Sequence, residues 1–133
     1  MRERLYPLEE LNDIPGTKVF TAKGSREAYH LHKFCMSLME AANRDAFKAD
    51  ERAYLGRFRM TDEQKQAVLD RDFNRLIDLG GNIYFLVKLS NTDGWSVQKA
   101  VSSMTDMTAD EYAAMMRSGG RPADGNRSIR EGN

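Results

Sequence analysis

The chain has 133 residues, 41% of them hydrophobic and 30% charged, and its twenty basic residues balance twenty acidic ones. That length and composition fit one globular domain and exclude an intrinsically disordered chain. A net charge of zero lacks the basic footprint that phosphate neutralisation needs, so no nucleic acid is expected as the main partner, and neutrality favours association.

Residues 1–23 read as an irregular arm, because Pro7 and the Ile14-Pro15-Gly16 turn interrupt any helical period. Val19 and Phe20 give that arm an apolar anchor. Ser25 is the expected cap of a helix running to Ala42, with Ala28, Leu31, Cys35, Leu38 and Ala42 as its apolar stripe. Asn43 is the expected cap of the next, Arg44 to Phe58, which buries Ala46, Phe47, Ala53, Tyr54 and Phe58. Thr61 and Gln64 make a T-x-x-Q capping box before a helix over Asp62 to Leu79. Leu69, Phe73, Leu76 and Ile77 share one side of it, and Gly80-Gly81 ends it.

Ile83 to Leu89 is nearly all apolar, and periodicity alone does not separate a buried strand from a buried helix there. Asn91-Thr92-Asp93-Gly94 has the composition of a turn. Val97, Ala100, Val101 and Met104 resume a helical period, and Thr108 with Glu111 forms a second capping box ahead of Tyr112, Met115 and Met116. After Gly119-Gly120 the chain is polar. The expected fold is all-α: a small irregular helical domain over 1–133, with an arm (1–23), a helical core (24–120) and a tail (121–133).

Little here resembles a catalytic centre. His30 and His32 lie two residues apart, which on a helix places them on different faces and disfavours a shared metal. Cys35 is the only cysteine, so neither an intrachain disulfide nor a thiolate cluster forms, and its place on the apolar stripe suits a buried structural thiol. Asp62-Glu63 and Asp110-Glu111 fall in first turns, where the helix dipole accounts for them. The eight methionines suit core packing first and an adaptable contact surface second. No apolar run spans a bilayer and Met1 to Glu10 holds no signal-peptide core, so no membrane partner is expected and the cytoplasm is the expected compartment. The residues themselves point to an interaction subunit.

Nine strings, in order, resemble the small (alpha) subunit of protocatechuate 4,5-dioxygenase. The first four are Asp13-Ile-Pro-Gly-Thr-Lys-Val-Phe-Thr21, Phe34-Cys-Met-Ser-Leu-Met39, Asn43-Arg-Asp-Ala-Phe-Lys-Ala-Asp-Glu51 and Ala67-Val-Leu-Asp-Arg-Asp72. Next come Gly80-Gly-Asn-Ile-Tyr-Phe-Leu86, Ser90-Asn-Thr-Asp-Gly94 and Ser103-Met-Thr-Asp-Met-Thr108. The last are Glu111-Tyr-Ala-Ala-Met-Met116 and Gly119-Gly-Arg121 with Arg127-Ser-Ile129.

The resemblance implies a helical subunit, inactive alone, that pairs with a large (beta) subunit in an α2β2 assembly. In that family the large subunit holds a non-haem Fe(II) through two histidines and a carboxylate, and this chain holds no metal. The implied reaction is extradiol cleavage of protocatechuate, gallate or another carboxylated catechol with O2, as in the degradation of lignin-derived aromatics. By the same analogy Ile83 to Leu89 is a helix. Thr92, Asp93, Trp95 and Val97 are the expected substrate-facing residues, with Val97 as an apolar wall for the aromatic ring. Val97 and Trp95 depart from the family pattern, where an aromatic residue and a lysine can stand. The alternative is a free-standing helical binding or regulatory module of the same fold.

Overall fold

The computed structural model describes residues 12–14 and 17–121. Readings that fall on residues 1–11, on Pro15 and Gly16, or on the tail beyond Arg121 lie outside the described residues. Among those described, every regular element is helical: α1 Ala22–Glu27, α2 Tyr29–Ser37, α3 Ala41–Ala49, α4 Glu51–Leu55, α5 Asp62–Asp70, α6 Phe73–Asp78, α7 Ile83–Thr92, α8 Val97–Ser102 and α9 Ala109–Arg117. The all-α expectation holds, and the ambiguous apolar run is the helix α7.

The elements are shorter than the apolar pattern suggests, because the long periods are broken at Ala28, at Leu38–Glu40, at Asp50 and at Arg71. The first helix starts earlier than Ser25. Thr21 is extended and its hydroxyl accepts from the Gly24 amide at 3.0 Å, while Ser25 already lies inside the helix and donates its amide to the Thr21 carbonyl. Asn43 is not a cap either: it sits within α3, and its side-chain amide donates to the Ser37 carbonyl at the end of α2 (2.8 Å). That bond satisfies one of the carbonyls a helix end leaves open. Asp50 splits the second expected helix by turning extended and accepting from the Ala53 amide.

The helix expected over Asp62 to Leu79 is two helices. Arg71 adopts φ 53, a left-handed conformation that ends α5, and Asp72 then caps α6 by accepting from the Arg75 amide (3.0 Å). Both capping boxes form as their spacing requires. The Gln64 side chain does more than cap, since it also donates to the carbonyls of Glu27 (3.0 Å) and Leu79 (3.3 Å). One buried amide thereby joins the start of α5 to the ends of α1 and α6.

The core gathers between α2, α3, α4, α5, α6 and α7. Phe34 is fully buried at its centre, with edge-on rings of Phe47, Tyr54 and Phe58 at 5.2, 6.0 and 5.7 Å. Such edge contacts match the positive ring rim to the negative face and contribute about 0.5–1.5 kcal/mol beyond burial. Leu31, Cys35 and Leu38 of the first expected stripe are buried, but Ala42 and Ala53 are exposed. Both alanines lie beyond a chain break that rotates the stripe away from its continuation.

Glycine is required at one contact above all. Gly80 has φ +97, and a Cβ there would stand 2.5 Å from the Gly24 carbonyl oxygen. Only a residue without a side chain lets α1 approach the end of α6 this closely.

Candidate functional site

The four residues expected to face a substrate span the exit of α7 and the start of α8, and the fold gives them different tasks. Thr92 is the last residue of α7 and only 3% exposed, and its hydroxyl donates back to the Lys88 carbonyl at 2.8 Å. That geometry occupies the hydroxyl within its own helix. Asp93 is the C-cap, and Gly94 follows at φ +75 to turn the chain. The expected turn over 91–94 is therefore half helix, since Asn91 and Thr92 belong to α7.

Asp93 is bound on both oxygens by Arg71. Nε donates to Oδ2 at 2.6 Å and Nη2 to Oδ1 at 3.1 Å, a bidentate pairing of a guanidinium edge with a carboxylate. Nη2 also pairs with Glu51 of α4, and Nη1 donates to the Val68 carbonyl at 2.6 Å. The guanidinium lies 5.3 Å from the Phe47 ring centre. Burial opposes the charge of Arg71, but the bonds to Asp93 and Glu51 outweigh it and hold its pKa above the ordinary value. Arg71 thus joins α4, the α5–α6 corner and the end of α7.

Trp95 is half-buried against the core, with Phe73 at 6.2 Å and the Lys99 ammonium 4.6 Å from a ring centre. Val97, the first residue of α8, is 56% exposed. Of the four, Val97 alone leaves its side chain largely to solvent. Arg71 was missed by sequence reasoning. Its side chain is an ordinary surface cation by type, and no pattern announces that its backbone turns left-handed.

A second surface feature lies on the other side of α2. Phe20, Ser25, Tyr29, His32, Lys33, Met36, Asn82 and Phe85 line a mainly apolar groove of about 460 Å³. Phe20, Tyr29 and Met36 are 51%, 55% and 44% exposed. Val19 is partly buried next to Phe20, so the anchor expected from this pair is shallow. Exposed aromatic and methionine side chains in one patch are a feature of contact surfaces.

The methionines divide: Met60 is buried, whereas Met36, Met39 and Met116 are exposed. The second reading of the sequence, an adaptable contact surface, suits those three.

His32 forms the wall of this groove. Its ring stacks on Phe85 at 4.4 Å, and Nε2 accepts from the Asn82 amide at 3.0 Å. Burial lowers its pKa below 6.5, so the ring is neutral near neutral pH. His30 lies beside Tyr29 instead, 5.1 Å away. The thiol of Cys35 is fully buried, and burial pushes its pKa up to about 12, which keeps it protonated. Among the described residues no three His, Cys, Asp or Glu side chains converge as a metal site. No helix among them is long and apolar enough to cross a membrane.

The family described as "Aromatic-ring-opening dioxygenase LigAB, LigA subunit" matches residues 31–117, well over half of the chain. The match starts inside α2 and ends with the last residue of α9, so it takes in the core, the Arg71 junction and the 92–97 corner. The resemblance carried by the nine strings is borne out: this chain belongs to the LigA family, the small subunits of aromatic-ring-opening dioxygenases.

Proposed function

We propose that this chain is the alpha subunit of a protocatechuate 4,5-dioxygenase-type extradiol enzyme. It stabilises a large subunit and covers the mouth of that subunit's active site, in an α2β2 assembly that works in the cytoplasm. The large subunit carries the Fe(II), which supplies the oxygen chemistry of ring opening. The substrate is a carboxylated catechol of the protocatechuate or gallate type.

The observation that carries this reading is the family match over 31–117. The donor set of this chain supports placing the iron elsewhere. The described residues do not fit a site of two histidines and a carboxylate, because His32 Nε2 is engaged by the Asn82 amide and His30 turns to Tyr29. The chain's own contribution is then shape and water exclusion. In this reading the corner from Asp93 to Val97 faces the entrance, held by Arg71 through Asp93. Val97 offers its exposed side chain to the aromatic ring, while Trp95 sets the pitch of the corner by packing on Phe73. The hydroxyl of Thr92 donates within its own helix, to the Lys88 carbonyl.

Iron content tests this division of labour. Anaerobic co-expression with a large subunit, followed by chelation and size-exclusion chromatography, should leave iron in the complex and none with the isolated chain. Stoichiometric iron retained by the isolated chain contradicts the proposal.

A further inference from the structure

A groove of about 470 Å³ lies between three segments: Leu38 and Met39 from the α2–α3 connection, Arg44 of α3, and Lys88, Asn91 and Thr92 of α7. The three α7 residues are spaced i, i+3 and i+4, and so share one face of their helix. Arg44 and Lys88 are both partly buried. No carboxylate among the described residues forms an ion pair with either.

Arg44 is fixed in place. Its Nη1 donates to the carbonyls of Leu38 (2.9 Å) and Met39 (3.0 Å), which closes the end of α2. Those bonds leave Nε and Nη2 without partners among the described residues. The Nε–Nη2 edge carries two parallel N–H donors, a geometry matched to the two oxygens of a carboxylate. The molecule shows the match itself, since Arg71 uses this same edge on Asp93. Two partly desolvated cations lining one groove also repel each other, and an anion between them relieves both the repulsion and the lost solvation.

We propose that Arg44, Lys88 and Asn91 form a carboxylate-binding subsite for an aromatic acid. The free edge of Arg44 and the ammonium of Lys88 take the carboxylate, Asn91 adds an amide donor, and Met39, 61% exposed, lies against the ring. The carboxylate chemistry rests on the groove, whereas the choice of an aromatic acid rests on the proposed ring-cleavage role. Thr92 lines the groove and the corner from Asp93 to Val97 follows it directly. An acid held there is collected beside the segment proposed to face the entrance.

The test uses the full isolated chain, labelled with 15N, and protocatechuate as the probe under anaerobic conditions, with protocatechuate methyl ester as the uncharged control. The acid should move the amide signals of Arg44, Lys88 and Asn91, and the ester should not. Lys88→Glu removes one charge-assisted contact and adds a like charge, so acid binding should weaken by about tenfold or more, with the melting temperature unchanged. Arg44→Lys keeps the charge but removes the two-donor edge and should weaken binding too; its melting temperature reports any loss of the α2 cap.

Equal shifts by acid and ester overturn the subsite, as do shifts that fall outside the groove. It is also overturned if Lys88→Glu leaves acid binding intact and weakens capture of the large subunit, which would make the natural occupant a carboxylate of that subunit. Failure to bind the acid leaves the accessory-subunit reading standing. Failure of the chain to support a large subunit leaves the titration standing.

Discussion

Arg71 should be worth more to the fold than either carboxylate it holds. Replacing it with methionine leaves Glu51 and Asp93 without their cation, and their side chains are only 33% and 19% exposed. Breaking a buried pair in this way costs about 3–5 kcal/mol, and the partial exposure here places the loss near the lower end. The change also removes the bond to the Val68 carbonyl and the contact over Phe47. Asp93→Asn is milder, because an acceptor remains and Glu51 still pairs with Arg71; one weakened charged hydrogen bond costs about 1–2 kcal/mol.

Urea denaturation of the isolated chain separates the two. A difference of about 2 kcal/mol at a slope of about 2 kcal/mol per M moves the midpoint by about 1 M. The backbone supplies an internal control. Arg71→Gly and Arg71→Ala both lose the junction, but glycine adopts φ 53 freely and should recover about 1 kcal/mol relative to alanine. Equal midpoints for Arg71→Met and Asp93→Asn, or for the glycine and alanine variants, would refute the assignment of Arg71 as a strained junction.

Three further outcomes are expected. The lowered pKa of His32 means its contribution to stability is fully present above 6.5 and lost as pH falls through the lower folded value. Thermal melts should therefore decline on mild acidification, and His32→Gln should flatten that decline; an unchanged acid limb counts against it. Gly80→Ala should destabilise by well over the roughly 1 kcal/mol expected from positive φ alone, because its Cβ would meet the Gly24 carbonyl, whereas Gly94→Ala at φ +75 has open space and should cost only the backbone term. In the reconstituted enzyme, Val97→Phe should change the preference between protocatechuate and gallate by roughly tenfold, the scale of a single pocket contact; an unchanged ratio of kcat/KM values would remove Val97 from the substrate-facing surface.

The parts of this fold that were legible are those written by local chemistry. Thr61 with Gln64 and Thr108 with Glu111 announce their capping boxes by spacing, and Gly80 announces a helix end. The breaks inside the long apolar periods were not legible. Asp50 reads as one more helix-surface acid until the chain turns and its carboxylate finds the Ala53 amide. Arg71 reads as a helical residue until Asp93 and Glu51, twenty or more positions away, hold it in a left-handed bend.

The expected site divides for the same reason. Val97 is expected only as an apolar wall, and its exposure comes from the fold; the neighbours that bury Thr92 and engage Asp93 come from α5 to α7, and no local string encodes them. The Arg44–Lys88 groove escaped notice because it joins residues from separate helices, each unremarkable within its own segment.

The central claim is that this chain serves a large dioxygenase subunit, and oxygen uptake measures it most directly. A large subunit reconstituted anaerobically with Fe(II) would be assayed on protocatechuate and gallate while this chain is titrated in. The account predicts that turnover rises with added chain and saturates at one small subunit per large subunit. A rate that is already full without this chain, and unchanged by it, would contradict the account.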